Sequence, residues 1–169
     1  MELLNDLLRS GGFEALSRQA GCSPAIVTDV AGVLIPGLFD AMRHFVRTHG
    51  GGDAGVNVLM NLIIDLGDGD LAAEVLSHDK ASPDVGNVLL ARLYPDRTGR
   101  EDAIGRFAFE SGQDRQLVGR MAPYAAMLLA GYLGARITGS GASGSGGLKA
   151  LGSLLDALKA SEGPPQGPG

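Results

Sequence analysis

The chain has 169 residues, 44% of them hydrophobic, and a net charge of −5. That is enough for one globular domain with a real core, and it argues against overall disorder. The acidic balance sets the chain against sequence-independent nucleic-acid binding and against anionic membranes, since both need an excess of cations. Aromatic residues make up only 5% and tryptophan is absent, so the core must be aliphatic, built from Leu, Val, Ile, Ala and Met.

In chain order, Leu3, Leu4, Leu7 and Leu8 lie at helical spacing, and Gly11-Gly12 ends that short segment. Phe13, Leu16 and Ala20 form the next stripe, stopped by Gly21. Ser23 offers an N-cap oxygen, with Pro24 at the first helical position, where its missing N–H costs nothing. A long apolar helix follows, near 24–46. Gly32 and Pro36 predict a kink or break inside it. After Gly50–Asp53, a helix over Val56–Leu66 is predicted, then a short one through Leu71, Ala72, Val75 and Leu76. Ser82-Pro83 again reads as an N-cap followed by proline, and Pro95 closes the segment through Val88, Leu89 and Leu93. Thr98 and Glu101 have capping-box spacing ahead of Ile104, Phe107 and Gly112. Asp114 caps a last long helix to about Ile137, with a bend or break expected near Pro123. No segment sustains the alternation of a half-buried strand.

Composition then shifts. Residues 139–147 are only Gly, Ser and Ala and read as a flexible linker. Leu148, Leu151, Leu154, Leu155 and Leu158 form an apolar stripe within a predicted amphipathic tail helix over 148–160, and the Pro/Gly-rich residues 161–169 read as disordered. A lone helix of that length is marginal in water, so the tail is expected to dock in an apolar groove, in cis or across a homo-oligomer.

The chain also repeats itself. With an offset of 91 residues (112 − 21), Gly112 falls on Gly21, Ile104 on Phe13, Phe107 on Leu16, Asp114 on Ser23, Val118 on Val27, Met121 on Val30 and Ala122 on Ala31. Pro123 falls on Gly32. A weaker echo joins Asp53-Ala-Gly55 to Asp84-Val-Gly86, each followed by leucines at +6 and +9 from its aspartate. Pairing the two long helices would bury both, with Ala125, Ala126, Ala130 and Gly131 permitting close approach. The fold expected is all-α: a compact multi-helix bundle with two pseudo-repeated helix–Gly–helix units over residues 1–138.

Gly21 with its following cap, the Leu34-Ile35-Pro36 helix, the Gly86-Asn87-Val88-Leu89-Leu90 segment and the Gly112 unit resemble the bacterial YidB-like family, also filed as domain of unknown function 937. The resemblance covers roughly residues 1–137. It implies an all-α fold and a bacterial source, and it carries no catalytic or binding residue. Where similar sequences have Phe-Gly, this chain has Tyr94-Pro95.

The search for chemistry returns little. Gly50-Gly51-Gly52 lacks the Lys-Ser/Thr and the preceding strand of a phosphate loop. His44, between Arg43 and Arg47, reads as a solvated helix end, with an anion patch as the alternative. Asp65, Asp68, Asp70, His78 and Asp79 hold only a fragment of calcium-loop spacing and read as turn and cap residues. Cys22, near a helix N-terminus but without a neighbouring histidine, reads as a structural thiol rather than a nucleophile.

Helix–Gly–helix is also the frame of DNA-binding helix-turn-helix motifs. Pro24-Ala25-Ile26-Val27-Thr28 brings no side chain suited to base edges, however, and Arg115-Gln116 is only better supplied. No catalytic, cofactor-binding or metal residue is assigned. The N-terminus lacks a basic, then apolar, signal pattern. The longest uncharged apolar run, Met121–Ala135, is 15 residues and falls short of a membrane span. These features predict a cytoplasmic, non-catalytic interaction or scaffold domain, with partners or a homo-oligomer reached through residues 148–160. An enzyme or small-ligand binder using a cleft between the units is the alternative.

Overall fold

The computed structural model describes residues 11–67, 70–77 and 82–134. Among the described residues stand seven α-helices and no strand: α1 (Gly12–Ala20), α2 (Pro24–Thr48), α3 (Gly52–Leu66), α4 (Asp70–Leu76), α5 (Asp84–Leu93), α6 (Arg97–Ser111) and α7 (Arg115–Gly134). The all-α expectation holds. The predicted segments at residues 1–10 and from residue 135 onward, the 148–160 tail included, lie outside the described residues.

The core is organised around α7. Every residue from Met121 to Gly131 is buried, and α7 touches each of the other six helices. A helix apolar on all sides must be enclosed, because any face left wet forgoes roughly 1.5–3 kcal/mol for each large side chain. α2 is amphipathic instead. It buries Val27, Val30, Leu34, Leu38 and Met42, and it leaves Thr28, Gly32 and Asp40 exposed. Among the described residues α2 alone is long and apolar enough to cross a membrane, and half of its most apolar window is buried within the fold.

The repeat is visible in the backbone. Gly21 and Gly112 both take left-handed φ, at 73° and 70°, where a side chain is strained. The two turns close alike: the Cys22 N–H donates to the Ser17 carbonyl at 3.2 Å, and the Gln113 N–H to the Ala108 carbonyl at 3.1 Å. The second helix of each unit then starts at the same repeat position, Pro24 and Arg115. Val27 and Val118, Val30 and Met121, and Ala31 and Ala122 are fully buried pair by pair. The contacts between units repeat too. Asp29 and Arg120 occupy one repeat position, and each reaches the other unit's turn: Gln113 Nε2 donates to Asp29 Oδ2 at 3.5 Å, and Arg120 Nε to the Ala20 carbonyl at 3.1 Å.

The Asp53/Asp84 echo has a packing meaning. A Cβ on Gly55 would overlap the Val46 carbonyl, and one on Gly86 would overlap the Pro123 carbonyl. These glycines let α3 lie close on the end of α2 and α5 on the middle of α7. The leucines that follow, Leu59, Leu62, Leu90 and Leu93, are all buried.

One local expectation narrows and two need correction. Of the kink or break expected in each long helix, the break does not occur: α2 runs through Gly32 and Pro36, and α7 through Pro123. Each proline forfeits one intrahelical bond, but apolar neighbours buried on both sides of it hold the helix together. Thr98 and Glu101 do not form a capping box. α6 begins one residue after Asp96, whose carbonyl takes the Arg100 N–H at 3.0 Å, and Glu101 turns instead to Arg115. Ser82 is displaced by one position: Pro83 is the N-cap, and the Ser82 hydroxyl accepts from the Asp84 N–H at 3.2 Å. The Ser23 cap is as expected, accepting from the Ile26 N–H with Pro24 first in the helix.

Gly86→Ala should therefore cost about 1–3 kcal/mol in urea unfolding, because the added methyl group forces α5 off α7. Gly32→Ala, at the repeat position of Pro123, meets open space and should be neutral or stabilising by up to about 1 kcal/mol. Equal behaviour of the two variants would show that the α5–α7 contact is not tight.

Candidate functional site

The concave surface gathers at the α5–α6 corner. Pro95 cannot continue α5, and it pushes Tyr94 out of helical conformation, to φ −125° and ψ 80°. Asp96 is extended, and α6 leaves in a new direction. On one side of this corner, Arg97, Arg100, Glu101 and Ile104 share a face of α6 at i, i+3, i+4 and i+7 spacing. Together with Arg115 and Gln116 from the first turn of α7, they line a groove of about 730 Å³.

Two of the three guanidinium groups bond acceptors at the groove wall. Arg100 Nη2 donates to Asn87 Oδ1 at 2.9 Å. Arg115 Nη2 donates to both the carbonyl and Oε1 of Glu101, each at 3.1 Å. Arg97 makes no hydrogen bond or ion pair among the described residues. Three guanidiniums against one carboxylate leave the groove cationic on a chain that is acidic as a whole.

On the other side of the corner, a trough runs between α2 and α6. Its larger part, about 370 Å³, is lined by Ala41, His44, Leu93, Tyr94 and Asp96; its smaller part, about 320 Å³, by Gly32, Val33, Pro36, Phe107 and Glu110. Gly37, Asp40 and Arg106 belong to both parts. Arg106 lies over the Phe107 ring, 5.4 Å from its centroid. Burial pushes the Tyr94 phenol up from its ordinary pKa, with nearby Arg106 pulling it down and Asp40 raising it.

The residues singled out in the sequence fare as follows. Arg43 pairs with Asp40 at 3.0 Å, and Arg47 Nη2 donates to His44 Nδ1 at 2.8 Å, so the cations at the end of α2 are engaged along their own helix. His49 closes that helix, stacked on Phe45 with ring centroids 4.0 Å apart. Of the acidic stretch, Asp68, His78 and Asp79 lie outside the described residues, and Asp65 is exposed on α3. Among the described residues, no group of three or more His, Cys, Asp or Glu could hold a metal ion.

Cys22 sits in the Gly21 turn, where its carbonyl accepts from the Ser17 hydroxyl. Burial raises its pKa, against the pull of Arg120. That is the opposite of nucleophile activation. α7, the second helix of the better-supplied helix–Gly–helix unit, exposes Arg115, Gln116 and Arg120 in its first two turns and is enclosed from Met121 onward apart from Tyr132.

Sequence reading did not find the arginine groove. The i, i+3, i+4, i+7 face of Arg97, Arg100, Glu101 and Ile104 was available as a signal, but Arg115 joins it only through the fold.

No family model matches the chain, and no curated protein or solved structure matches it either.

The raised Cys22 pKa makes a checkable statement. Its alkylation rate against pH should show a midpoint above that of a free cysteine thiol. Arg120→Ala should move the midpoint further up, because the guanidinium favours the thiolate. A midpoint below the free-thiol value would reverse this reading of the turn.

Proposed function

We propose that this is a non-catalytic protein-interaction domain that takes an acidic segment of a partner in the arginine groove between α5, α6 and α7. The observation that carries the reading is the convergence of Arg97, Arg100 and Arg115 on one groove of an otherwise acidic protein. Guanidinium groups do not titrate near neutral pH, so they suit recognition of carboxylates rather than proton transfer. Their walls, with Ala91, Tyr94, Pro95 and Ile104, add apolar surface beside the charges, as a peptide groove requires. The face from Arg97 to Ile104 spans about 10 Å of helix, room for several residues of a bound segment.

We place the protein in the cytoplasm, on the strength of its one unpaired cysteine. We also keep the YidB-like relationship as part of this reading. Its support is that the resembling residues serve as corners and close contacts, namely the Gly21 and Gly112 turns and the Gly86 contact on Pro123.

A small-ligand or enzymatic role would fall in the trough between α2 and α6, which is the cleft between the two units. The chemistry there weighs against it. Burial raises the Tyr94 pKa, Asp40 is paired with Arg43, and His44 is occupied by Arg47.

A fluorescent glutamate-rich peptide of about twelve residues is the direct probe. It should bind the full chain with an affinity that falls as salt rises. Arg97→Glu should weaken binding by roughly tenfold, the order expected for reversing one well-placed interfacial charge. The helical circular dichroism should not change, since Arg97 is exposed and unpaired among the described residues. Equal binding by the wild type and the variant would remove the groove from consideration.

A further inference from the structure

The two units bury the same positions of their cores, but one helix face is treated differently. In the second unit Pro123, Tyr124, Met127, Leu128 and Gly131 are buried. Their repeat positions on α2 are Gly32, Val33, Pro36, Gly37 and Asp40. Gly32 and Asp40 are exposed, and the other three are half-buried.

Two helices cover α7 that have no counterpart on α2: α5 rests on the Pro123 backbone through Gly86. α4 packs on α7 and α1, where Arg18 Nη2 donates to the Leu76 carbonyl at 2.9 Å and Gln19 Nε2 to the Val75 carbonyl at 3.2 Å. The repeat positions of Arg18 and Gln19 are Phe109 and Glu110. Phe109 is 87% exposed, the most exposed large apolar side chain among the described residues, and Glu110 lines the trough. The trough between α2 and α6 is thus the repeat counterpart of the bed between α1 and α7 that α4 fills, and it is left open.

We propose that this trough is the docking site of the chain's own leucine-striped segment 148–160. α4 buries Leu71 and Val75, four residues apart, in its bed. Leu151 and Leu155 have the same spacing, with Leu148 and Leu158 extending the stripe. In helical register Leu148 to Leu158 spans about 15 Å, and the trough from Gly32 to His44 follows α2 for about 18 Å. Thirteen residues separate Gly134 from Leu148. As a coil they reach roughly 20 Å and at full stretch about 45 Å, against a radius of gyration near 14 Å for a domain of this size.

Charge chooses between this segment and the other leucine stripe of the chain. The trough carries Asp40, Asp96 and Glu110 against Arg106, and stays acidic even with Arg43 paired to Asp40 from the same helix. Segment 148–160 brings Lys149 and Lys159 against Asp156, whereas residues 1–10 bring Glu2 and Asp6 against Arg9. The acidic rim attracts the first and repels the second. This assignment does not depend on the arginine groove.

Glycine amide resonances of the full-length chain report on it directly. Leu151→Lys/Leu155→Lys, and separately a chain ended after Gly139, should shift the resonances of Gly32, Gly37 and Gly99 by more than a linewidth. Gly86, packed inside against α7, should stay in place. Asp40→Lys, a rim charge reversal at an exposed position, should shift the tail resonances toward those of the free segment. The wild-type spectrum should not change on dilution. Four outcomes would overturn the proposal: no shift at the trough glycines; shifts produced by Leu3→Lys/Leu7→Lys but not by the tail variant; shifts that vanish on dilution together with a dimer that becomes a monomer, which would place a second copy in the trough; or indifference of the tail to Asp40→Lys.

Discussion

A helix that is apolar around its whole circumference has no tolerable place at a protein surface. α7 is such a helix, and the arrangement of the other elements follows from the need to enclose it. α2 and α6 supply its partners within the repeat, α1 closes on it from the first unit, and α3, α4 and α5 cover what remains. The closest contact is α5 across Pro123. It exists because Gly86 has no side chain and so lets one backbone rest on the other. Close backbone approach brings many atom pairs to dispersion distance at once, and interiors are dense enough that a single methyl group there cannot be absorbed.

Much of this arrangement was legible in the sequence because its signals are local. Gly21 and Gly112 mark turns that only a left-handed residue closes, and Ser23-Pro24 marks a helix start whose orphan N–H groups must find an acceptor. The aliphatic stripes mark one face of each long helix, and the matched repeat positions Val27 and Val118 both prove fully buried. What failed was also local in origin but decided at a distance. Pro36 and Pro123 are helix breakers by intrinsic chemistry, and they are overruled by apolar packing from helices far along the chain. Thr98 and Glu101 have the right spacing for a reciprocal cap, but Glu101 gains a charge-assisted bond to Arg115 fourteen residues on, which no local rule can anticipate.

The candidate site divides along the same line. The four-residue face on α6 could have been read from spacing. The groove could not, because it needs the first turn of α7 to come alongside and the Tyr94-Pro95-Asp96 corner to turn the chain between them. A run of arginines in an acidic protein is ordinarily a solvated surface. The fold makes this one a site by bringing two helices' cations onto a shared wall beside apolar side chains.

The repeat explains why such a surface exists at all. Two units with the same turn and the same buried stripe would, if fully equivalent, clothe each long helix alike. Here α7 takes the central position and receives α4 and α5, while α2 keeps one face partly open. Asp29 and Arg120 show how deep the equivalence runs, since each crosses to the opposite turn from the same repeat position. The departures lie where α4 and α5 cover α7 and nothing among the described residues covers α2 alike. Arg18 caps a neighbouring helix, and its counterpart Phe109 presents an uncovered ring. A polar residue at position 109 would cost the fold nothing in core packing, so the exposed ring is not explained by the stability of the described helices. An exposed apolar side chain of that size, next in sequence to the trough residue Glu110, lowers free energy only when something packs against it, and the leucine stripe at the end of the same chain has the complementary need.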